Sequence, residues 1–473
     1  MGKVKNDLTE GDLGKNILIF AMPLAATGIL QQLFNAADIA VLGRYVGSDA
    51  MAAVGSNTPL TALIINLFVG ISIGANVVIA HYIGMGDREK VTKAVHTSLL
   101  IAVLSGAVIA AICELIAPAI LGLLSIPDEV YDMALLYFRV YIMGMPVVLL
   151  YDFASAIFRS RGNTRTPLIC LLTSGIVNVI LNLFFVLVLK MTVNGVALAT
   201  VLANLISSAL LVWFLMHEES EIRVDFNKLL GRSKETEETI QSAGRPQLID
   251  AGILGEMIKI GLPAGLQGMV FCFSNVIIQS AINKLGADVM AGSSAAFNIE
   301  IFAYYVLNSF GQACTTFTGQ NYGANKPERC RKVLQLTLLQ DMLCAIVLPL
   351  VILFFGRPLL GIFNSDPNII ATGMVRLRYI LLAEFINVII EIFSGYMRGF
   401  GYSLFPALTC TVCICGVRLT WVYSVFEKHQ TFPMLMTCYP ISWGLTAVVM
   451  LIVYFYMKNK YLADFFAQEK QTK

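Results

Sequence analysis

Long apolar runs separated by short polar segments occupy nearly the whole of this 473-residue chain. A bilayer core about 30 Å thick requires about 20 apolar residues for each helix that crosses it. Twelve runs meet this length, and they are far longer than the roughly 9 to 11 alternating residues of a membrane β-strand. The pattern therefore predicts twelve membrane helices, over residues 17–43, 52–81, 92–123, 133–158, 167–189, 195–216, 254–285, 291–322, 331–361, 373–398, 405–426 and 436–457.

The composition agrees with this pattern. Hydrophobic residues make up 57% of the chain and charged residues 14%, whereas a soluble domain carries about 25% charged residues. So few charges cannot cover a water-facing surface. The first apolar run is too long for a cleavable signal and should remain as the first helix. We therefore predict an all-α integral membrane protein.

The two halves of the chain resemble each other at an offset of about 240 residues. Pro23 and Pro263 each open an apolar run and are followed twelve residues later by Asn. Each half contains six predicted helices, so the halves should be parallel repeats. The predicted organisation is an N-terminal lobe over residues 1–216, a polar cytoplasmic linker over 217–253, and a C-terminal lobe with a short tail over 254–473.

The distribution of basic residues predicts the orientation. If the N-terminus is cytoplasmic, 24 of the 33 Lys and Arg lie in inside segments and five lie in outside loops. By the positive-inside rule, both termini should be cytoplasmic. The ten Cys lie mainly within helices and show no paired pattern in outside loops, so we expect neither a disulfide framework nor a metal site.

One carboxyl group stands alone in the first predicted helix. Gln31, Asn35 and Asp38 are spaced at i, i+4 and i+7, on one helix face. No Lys or Arg shares that face, so desolvation should favour uptake of a proton or metal cation by Asp38. We predict a coupling site at Asp38 and Asn35, with hydrogen-bonding support from Asn178 and Asn182. The alternative is a structural hydrogen-bonding cap.

A second polar stripe lies in the segment 291–322. Glu300, Tyr304, Asn308 and Gln312 step by four residues along one helix face. A carboxylate beside an aromatic ring suits an organic cation. We therefore predict substrate binding by Glu300, Tyr304 and Asn308, together with Gln31. The alternative is an interfacial Glu near the outer end of its helix.

Three further carboxyl groups and one Arg lie within predicted helices, at Asp152, Glu384, Glu391 and Arg418. Asp152 and Glu391 occupy matching repeat positions, each seven residues before an Arg. A buried Arg needs a partner, which favours a structural pair between Arg418 and a carboxylate such as Glu391. The alternative is a second ion site.

Several motifs carry a resemblance to a known family. The phrase NAADIAVLGRYVGSDAMAAVG follows Pro23, and FRSRGNTRTP, GQNYGAN, GYMRGFGYSLFP and CGVRLTW follow in order. Together they resemble the multidrug and toxic compound extrusion (MATE) transporters, most of all the DinF-like and MepA-like bacterial branch. The resemblance covers residues 8 to 458.

The resemblance implies a twelve-helix, two-lobe exporter of organic cations or related small molecules, driven by inward H⁺ or Na⁺ and without a cofactor. Asp38 matches the helix acid of the family's N-lobe cation site, and Glu300, Glu391 and Arg418 match features of the branch. Asn182 stands where some members have Asp, so the coupling ion stays open. The implied setting is a bacterial inner membrane, with lipid as a partner, no nucleic acid and a monomeric state.

Other functions fit the residues less well. A flippase for a lipid-linked precursor should have several cationic residues for phosphate, whereas Arg418 is the one that lies deep in a predicted helix. An exporter of one specific metabolite remains an alternative. A membrane enzyme would need a clustered nucleophile and base or a metal set, and the sequence contains neither these nor a phosphate-binding GxxxxGK[ST] motif.

Overall fold

The computed structural model describes residues 8–123, 126–225 and 249–467, and these residues form α-helices and no β-strand. The helices of the first half are α1 Leu13–Tyr45, α2 Ser48–Met85, α3 Arg88–Leu123, α4 Asp128–Met143, α5 Met145–Ser160, α6 Arg165–Leu183 and α7 Val193–Met216. A π-helical turn, Phe184–Val188, continues α6.

The second half begins with α8 Ala251–Asn283, α9 Ala287–Gly323, α10 Pro327–Phe354, α11 Gly356–Gly361, α12 Pro367–Leu381 and α13 Glu384–Gly399. It ends with α14 Leu404–Cys410, α15 Gly416–Trp421, α16 Phe432–Met436, α17 Cys438–Tyr461 and α18 Ala463–Ala467. Two π-helical turns, Thr411–Cys415 and Val422–Phe426, flank α15.

Most of the predicted helices meet the length and composition of a membrane span. Within the described chain, nine helical segments are long and apolar enough to cross a bilayer, and two bent pairs bring the number to eleven. The twelfth predicted span corresponds to α9, which has 37 residues and carries the polar stripe that begins at Glu300. Of the predicted linker, residues 226–248 lie outside the described residues.

Two spans are bent by more than 40°. The axes of α4 and α5 differ by 48° across Gly144. Pro146 follows this break at the start of α5. Because proline has no N–H to donate to the preceding turn, it favours a helix start over a continuous helix. The second bent pair, α12 and α13, differs by 44°.

The described chain divides into two compact units. The first unit contains residues 26–261, and the second contains residues 8–25 and 262–467. The division falls inside α1 and inside α8, close to Pro23 and Pro263, the proline that each of these helices contains. The start of α1 therefore belongs to the second unit, and the start of α8 belongs to the first.

Each unit has its own apolar core. The core of the first unit includes Phe138, Phe153 and Phe158. The core of the second unit includes Phe317, which meets Phe20 of α1 edge to face, with ring centroids 5.7 Å apart. Such aromatic pairs contribute about 0.5–1.5 kcal/mol beyond the area that they bury.

Large apolar side chains also cover the outer surface. Leu115, Phe354 and Ile362 are 83%, 81% and 77% exposed. Exposure to water costs about 25 cal/mol per Å² of apolar area, whereas lipid tails solvate these side chains without that cost. The outer surface therefore matches a bilayer.

Candidate functional site

Asp38 lies in the part of α1 that belongs to the first unit, and it is 8% exposed. Its Oδ1 accepts a 2.5 Å hydrogen bond from the Asn182 side-chain amide. Its Oδ2 accepts a 3.1 Å hydrogen bond from the Thr200 hydroxyl. In the described chain, Asp38 belongs to no ion pair. Its carboxylate is therefore held by neutral groups, the condition under which bound H⁺ or a metal cation can neutralise it.

The two predicted supporting residues on α6 meet this site. Asn182 also donates to Asn178 Oδ1 over 3.2 Å, and Asn178 donates to Thr200 over 3.4 Å. Both Asn side chains are buried. Asn182 Oδ1 makes no hydrogen bond within the described chain. Carboxylate, amide and hydroxyl oxygens thus lie together in the interior of the unit.

A glycine allows α1 to approach α6 at this site. A Cβ atom built at Gly175 would lie 1.9 Å from Phe34 Cε2, far closer than two carbon atoms can pack. Phe34 lies one turn before Asp38, and Gly175 lies one turn before Asn178. The absence of a side chain at Gly175 therefore lets the ring sit against α6 and keeps Asp38 near its partners.

Thr200 was not among the predicted site residues. Thr200, Asn204 and Ser207 are spaced at i, i+4 and i+7 on α7, a pattern that would have marked a polar face. By contrast, Gln31 and Asn35 are exposed, and no hydrogen bond in the described chain joins them to Asp38. The structure therefore separates the predicted stripe on α1 into a buried acid and two exposed amides.

In the second unit, Glu300 is buried against an arginine. Arg376 of α12 donates from Nη2 to Glu300 Oε1 over 2.6 Å, and from Nε to Oε1 and Oε2 over 3.2 and 3.1 Å. Arg376 also donates to the Ser293 hydroxyl. Glu300 is thus paired with Arg376, which neutralises its charge.

The rest of the predicted stripe on α9 is more open. Tyr304 is 36% exposed. Asn308 lies one turn after Tyr304, and its Oδ1 accepts a 2.8 Å hydrogen bond from Gln312. These side chains offer an aromatic face and amide groups, without a net charge of their own.

Three carboxyl groups lie in the interior of the second unit. Glu384 accepts a 3.2 Å hydrogen bond from Asn387, and both side chains are buried. Glu391 faces Gly311 of α9, where a Cβ would lie 3.5 Å from its Oε2. Asp341 of α10 interacts electrostatically with both glutamates. Asp341 was missed by sequence analysis, although a lone Asp in an apolar helix was a visible signal.

Asp341 is fully buried, and neither of its carboxyl oxygens makes a hydrogen bond within the described chain. An ionised carboxylate without a partner is costly in such an interior. Asp341 therefore lacks the hydrogen-bond support that Glu384 receives from Asn387.

Arg418 does not pair with Glu391. It is 3% exposed, donates to Asn275 Oδ1 over 3.3 Å and to the Ser442 hydroxyl over 3.5 Å, and lies 4.3 Å from the centroid of the Tyr439 ring. The expected pair with a carboxylate was wrong, because neutral oxygens and an aromatic face surround the guanidinium instead.

Asp152, at the repeat position that matches Glu391, is partly buried in the first unit. Its charge interacts with Arg159, two turns further along the same helix. Its Oδ2 makes no hydrogen bond within the described part of the chain. Each of the two matching acids thus has an Arg seven residues later. The Arg that follows Glu391 is Arg398, and it donates a 2.9 Å hydrogen bond to Gln267.

Known proteins resemble this chain along most of its length. The MatE family model matches residues 23–184 and 263–423. The chain is 25% identical to a probable multidrug resistance protein, YoeA, of Bacillus subtilis, covering 93% of each chain. It is 26% identical to a probable multidrug resistance protein, NorM, of Thermotoga maritima, covering 89% of this chain and 87% of that protein.

The solved structures confirm the fold class. A crystal structure of MATE in complex with MaL6 superimposes with a TM-score of 0.85 at 18% identity, covering 98% of this chain and 99% of that chain. The prediction of an all-α membrane protein with twelve helices in two six-helix lobes is confirmed. The family model covers most of the chain, in two matching halves. The chain therefore belongs to the MatE family, whose members are multi-pass membrane transporters rather than enzymes.

Proposed function

We propose that this protein is a secondary active exporter that moves small organic molecules, with organic cations as the expected class, in exchange for H⁺ or Na⁺. Asp38 is the coupling site, and Asn178, Asn182 and Thr200 are its supports. The observation that carries the proposal is the contact of a buried Asp38 carboxylate with neutral groups only.

The coupling chemistry follows from these contacts. Two hydrogen bonds stabilise the ionised carboxylate, while burial opposes it. A bound proton removes the charge directly. A Na⁺ ion would instead use the Asp38 oxygens together with Asn182 Oδ1, which accepts no hydrogen bond from the described residues, since oxygen donors suit hard cations. Release of the ion to the cytoplasm and capture of the organic molecule would then alternate.

We place the protein as a monomer in a bacterial inner membrane, with both termini cytoplasmic because basic residues are concentrated on that side. The two lobes, predicted over residues 1–216 and 254–473, would alternate in access to the two sides.

Purified protein in liposomes tests this function. The vesicles enclose a fluorescent organic cation, and either a pH gradient or a Na⁺ gradient is imposed across them. We expect one of the two gradients to drive dye movement faster than in dye-loaded vesicles that contain no protein. Dye movement at the same rate as in protein-free vesicles, together with transfer of a fluorescent phospholipid between leaflets, would favour a lipid flippase and reject the proposal.

A further inference from the structure

Arg418 is a buried cation on a short helix between two π-helical turns. The turn Thr411–Cys415 precedes α15, and the turn Val422–Phe426 follows it. Such turns in otherwise α-helical segments are frequent at functional sites. An ionisable residue within a membrane span is also a candidate functional group by default. Both features mark Arg418 as a candidate ligand-binding residue.

The guanidinium of Arg418 is held by weak, neutral contacts. Its two hydrogen bonds, to Asn275 and Ser442, are 3.3 and 3.5 Å long. No ion pair of the described chain includes it. The Tyr439 ring supplies an attractive face at 4.3 Å but carries no negative charge. The positive charge of Arg418 is therefore not neutralised by a carboxylate.

Arg376 shows how the same unit satisfies a buried arginine. It has a carboxylate partner, Glu300, with a shortest contact of 2.6 Å. Arg418 differs from Arg376 in lacking such a pair, and a buried charge is costly unless it is paired. Arginine binds carboxylate and phosphate groups through two parallel N–H···O hydrogen bonds. Arg418 has the donors for such a group, and no ion pair among the described residues gives it an acid.

Helix α8 packs against the segment that contains Arg418. The Ser274 hydroxyl on α8 is 1% exposed. It neighbours the thiol of Cys415, three residues before Arg418. Asn275, which contacts Arg418, is the next residue along α8. The Asn275 side chain is therefore the group of α8 that meets the Arg418 guanidinium of α15.

We propose that Arg418, with Asn275 beside it, binds an acidic group of the transported molecule, either a carboxylate or a phosphate. This inference rests on the proposed export function and narrows its substrate class to organic molecules that carry an acidic group, zwitterions included. Glu300 does not oppose this assignment, because its charge is already matched by Arg376.

The test uses full-length protein in nanodiscs and two dyes, a rhodamine with a free benzoate and its methyl ester, which lacks the carboxylate. We expect wild-type protein to bind the free acid more tightly than the ester. Arg418→Gln should weaken binding of the free acid about ten-fold, the effect of about one charge-assisted hydrogen bond. Binding of the ester should change less than about two-fold, and Arg418→Lys should retain part of the preference.

Several outcomes overturn the proposal. An equal effect of Arg418→Gln on both dyes, or no wild-type preference for the free acid, would mean that Arg418 only holds the helices together. Arg357→Gln, on the surface, is the matched control and should change neither affinity. Because binding is measured without a gradient, the preference for the free acid can be determined even if the protein fails to export the dye.

The composition of the nanodiscs separates two sources of the acidic group. If a phospholipid headgroup occupies Arg418, discs of phosphatidylglycerol should abolish binding of the free acid, while discs of phosphatidylcholine should not. That result would overturn the assignment to a transported solute. Similar affinities in both lipids support it, and unchanged ester binding by Arg418→Gln shows that the variant is folded.

Discussion

Arg376 neutralises Glu300 within the second unit, through three N–H···O contacts of 2.6 to 3.2 Å between two side chains that are 5% and 7% exposed. The pair joins α9 to α12. Removing one partner of such a buried pair leaves an uncompensated charge, whereas removing both does not.

The first prediction concerns this pair. Glu300→Gln should lower the stability of the purified protein by about 3 kcal/mol, and Glu300→Gln with Arg376→Met should recover most of the loss. Thermal unfolding in detergent measures both effects. Independent sites give additive losses, so an additive double mutant would contradict the contact.

The second prediction concerns Asp341, whose carboxyl oxygens have no hydrogen-bond partner in the described chain. Asp341→Leu should leave thermal stability unchanged or raise it by about 1–3 kcal/mol, because it removes an unsatisfied polar group. Glu384→Leu is the matched control, and it should be destabilising because it leaves the Asn387 amide unpaired. A large loss with Asp341→Leu would show that Asp341 has a structural partner.

Much of the fold was predictable from the sequence, because the rise per residue of an α-helix and the thickness of the bilayer together fix the length of a membrane-spanning apolar run. All twelve predicted segments correspond to helical segments, although π turns and bends such as the one at Gly144 interrupt several. The repeat was visible because Pro23 and Pro263 recur in register. The division of α1 and α8 between units was not visible, because it depends on contacts between distant segments.

Site residues were less predictable than the fold. Spacing along one helix identified Asp38, but it also grouped the buried Asp38 with the exposed Asn35. Partners on other helices could not be assigned, which is why Arg376 was missed as the partner of Glu300 and Arg418 was given a carboxylate. A single sequence shows which faces are polar, but not which faces meet.

The third prediction concerns the approach of α1 to α6. Gly175→Ala should cost about 1–3 kcal/mol of stability, because its Cβ would overlap the Phe34 ring. Phe34→Ala in the same chain should restore packing. Gly444→Ala, where no atom lies within 4 Å of a built Cβ, should have little effect. Unfolding temperatures of the four proteins provide the measurement, and no rescue by Phe34→Ala would contradict the stated contact.

The fourth prediction concerns the segment before α1. Arg329 donates to the backbone carbonyls of Leu8, Glu10 and Gly11 over 3.1 to 3.3 Å. Arg329→Ala should therefore speed amide hydrogen exchange across residues 8–16, since those residues lose their tether. Lys332→Ala, which removes an exposed pair with Glu328, is the control. Equal exchange in both variants would contradict the tethering role.

The central claim is that Asp38 couples ion entry to export. Its most direct test is gradient-driven dye efflux by Asp38→Asn in liposomes, beside Asp49→Asn, an exposed acid at the start of α2, as the matched control. We predict that Asp38→Asn binds dye and unfolds like the wild type but loses gradient-driven efflux, while Asp49→Asn transports normally. Efflux by Asp38→Asn at the wild-type rate and with the same dependence on the gradient would contradict the claim.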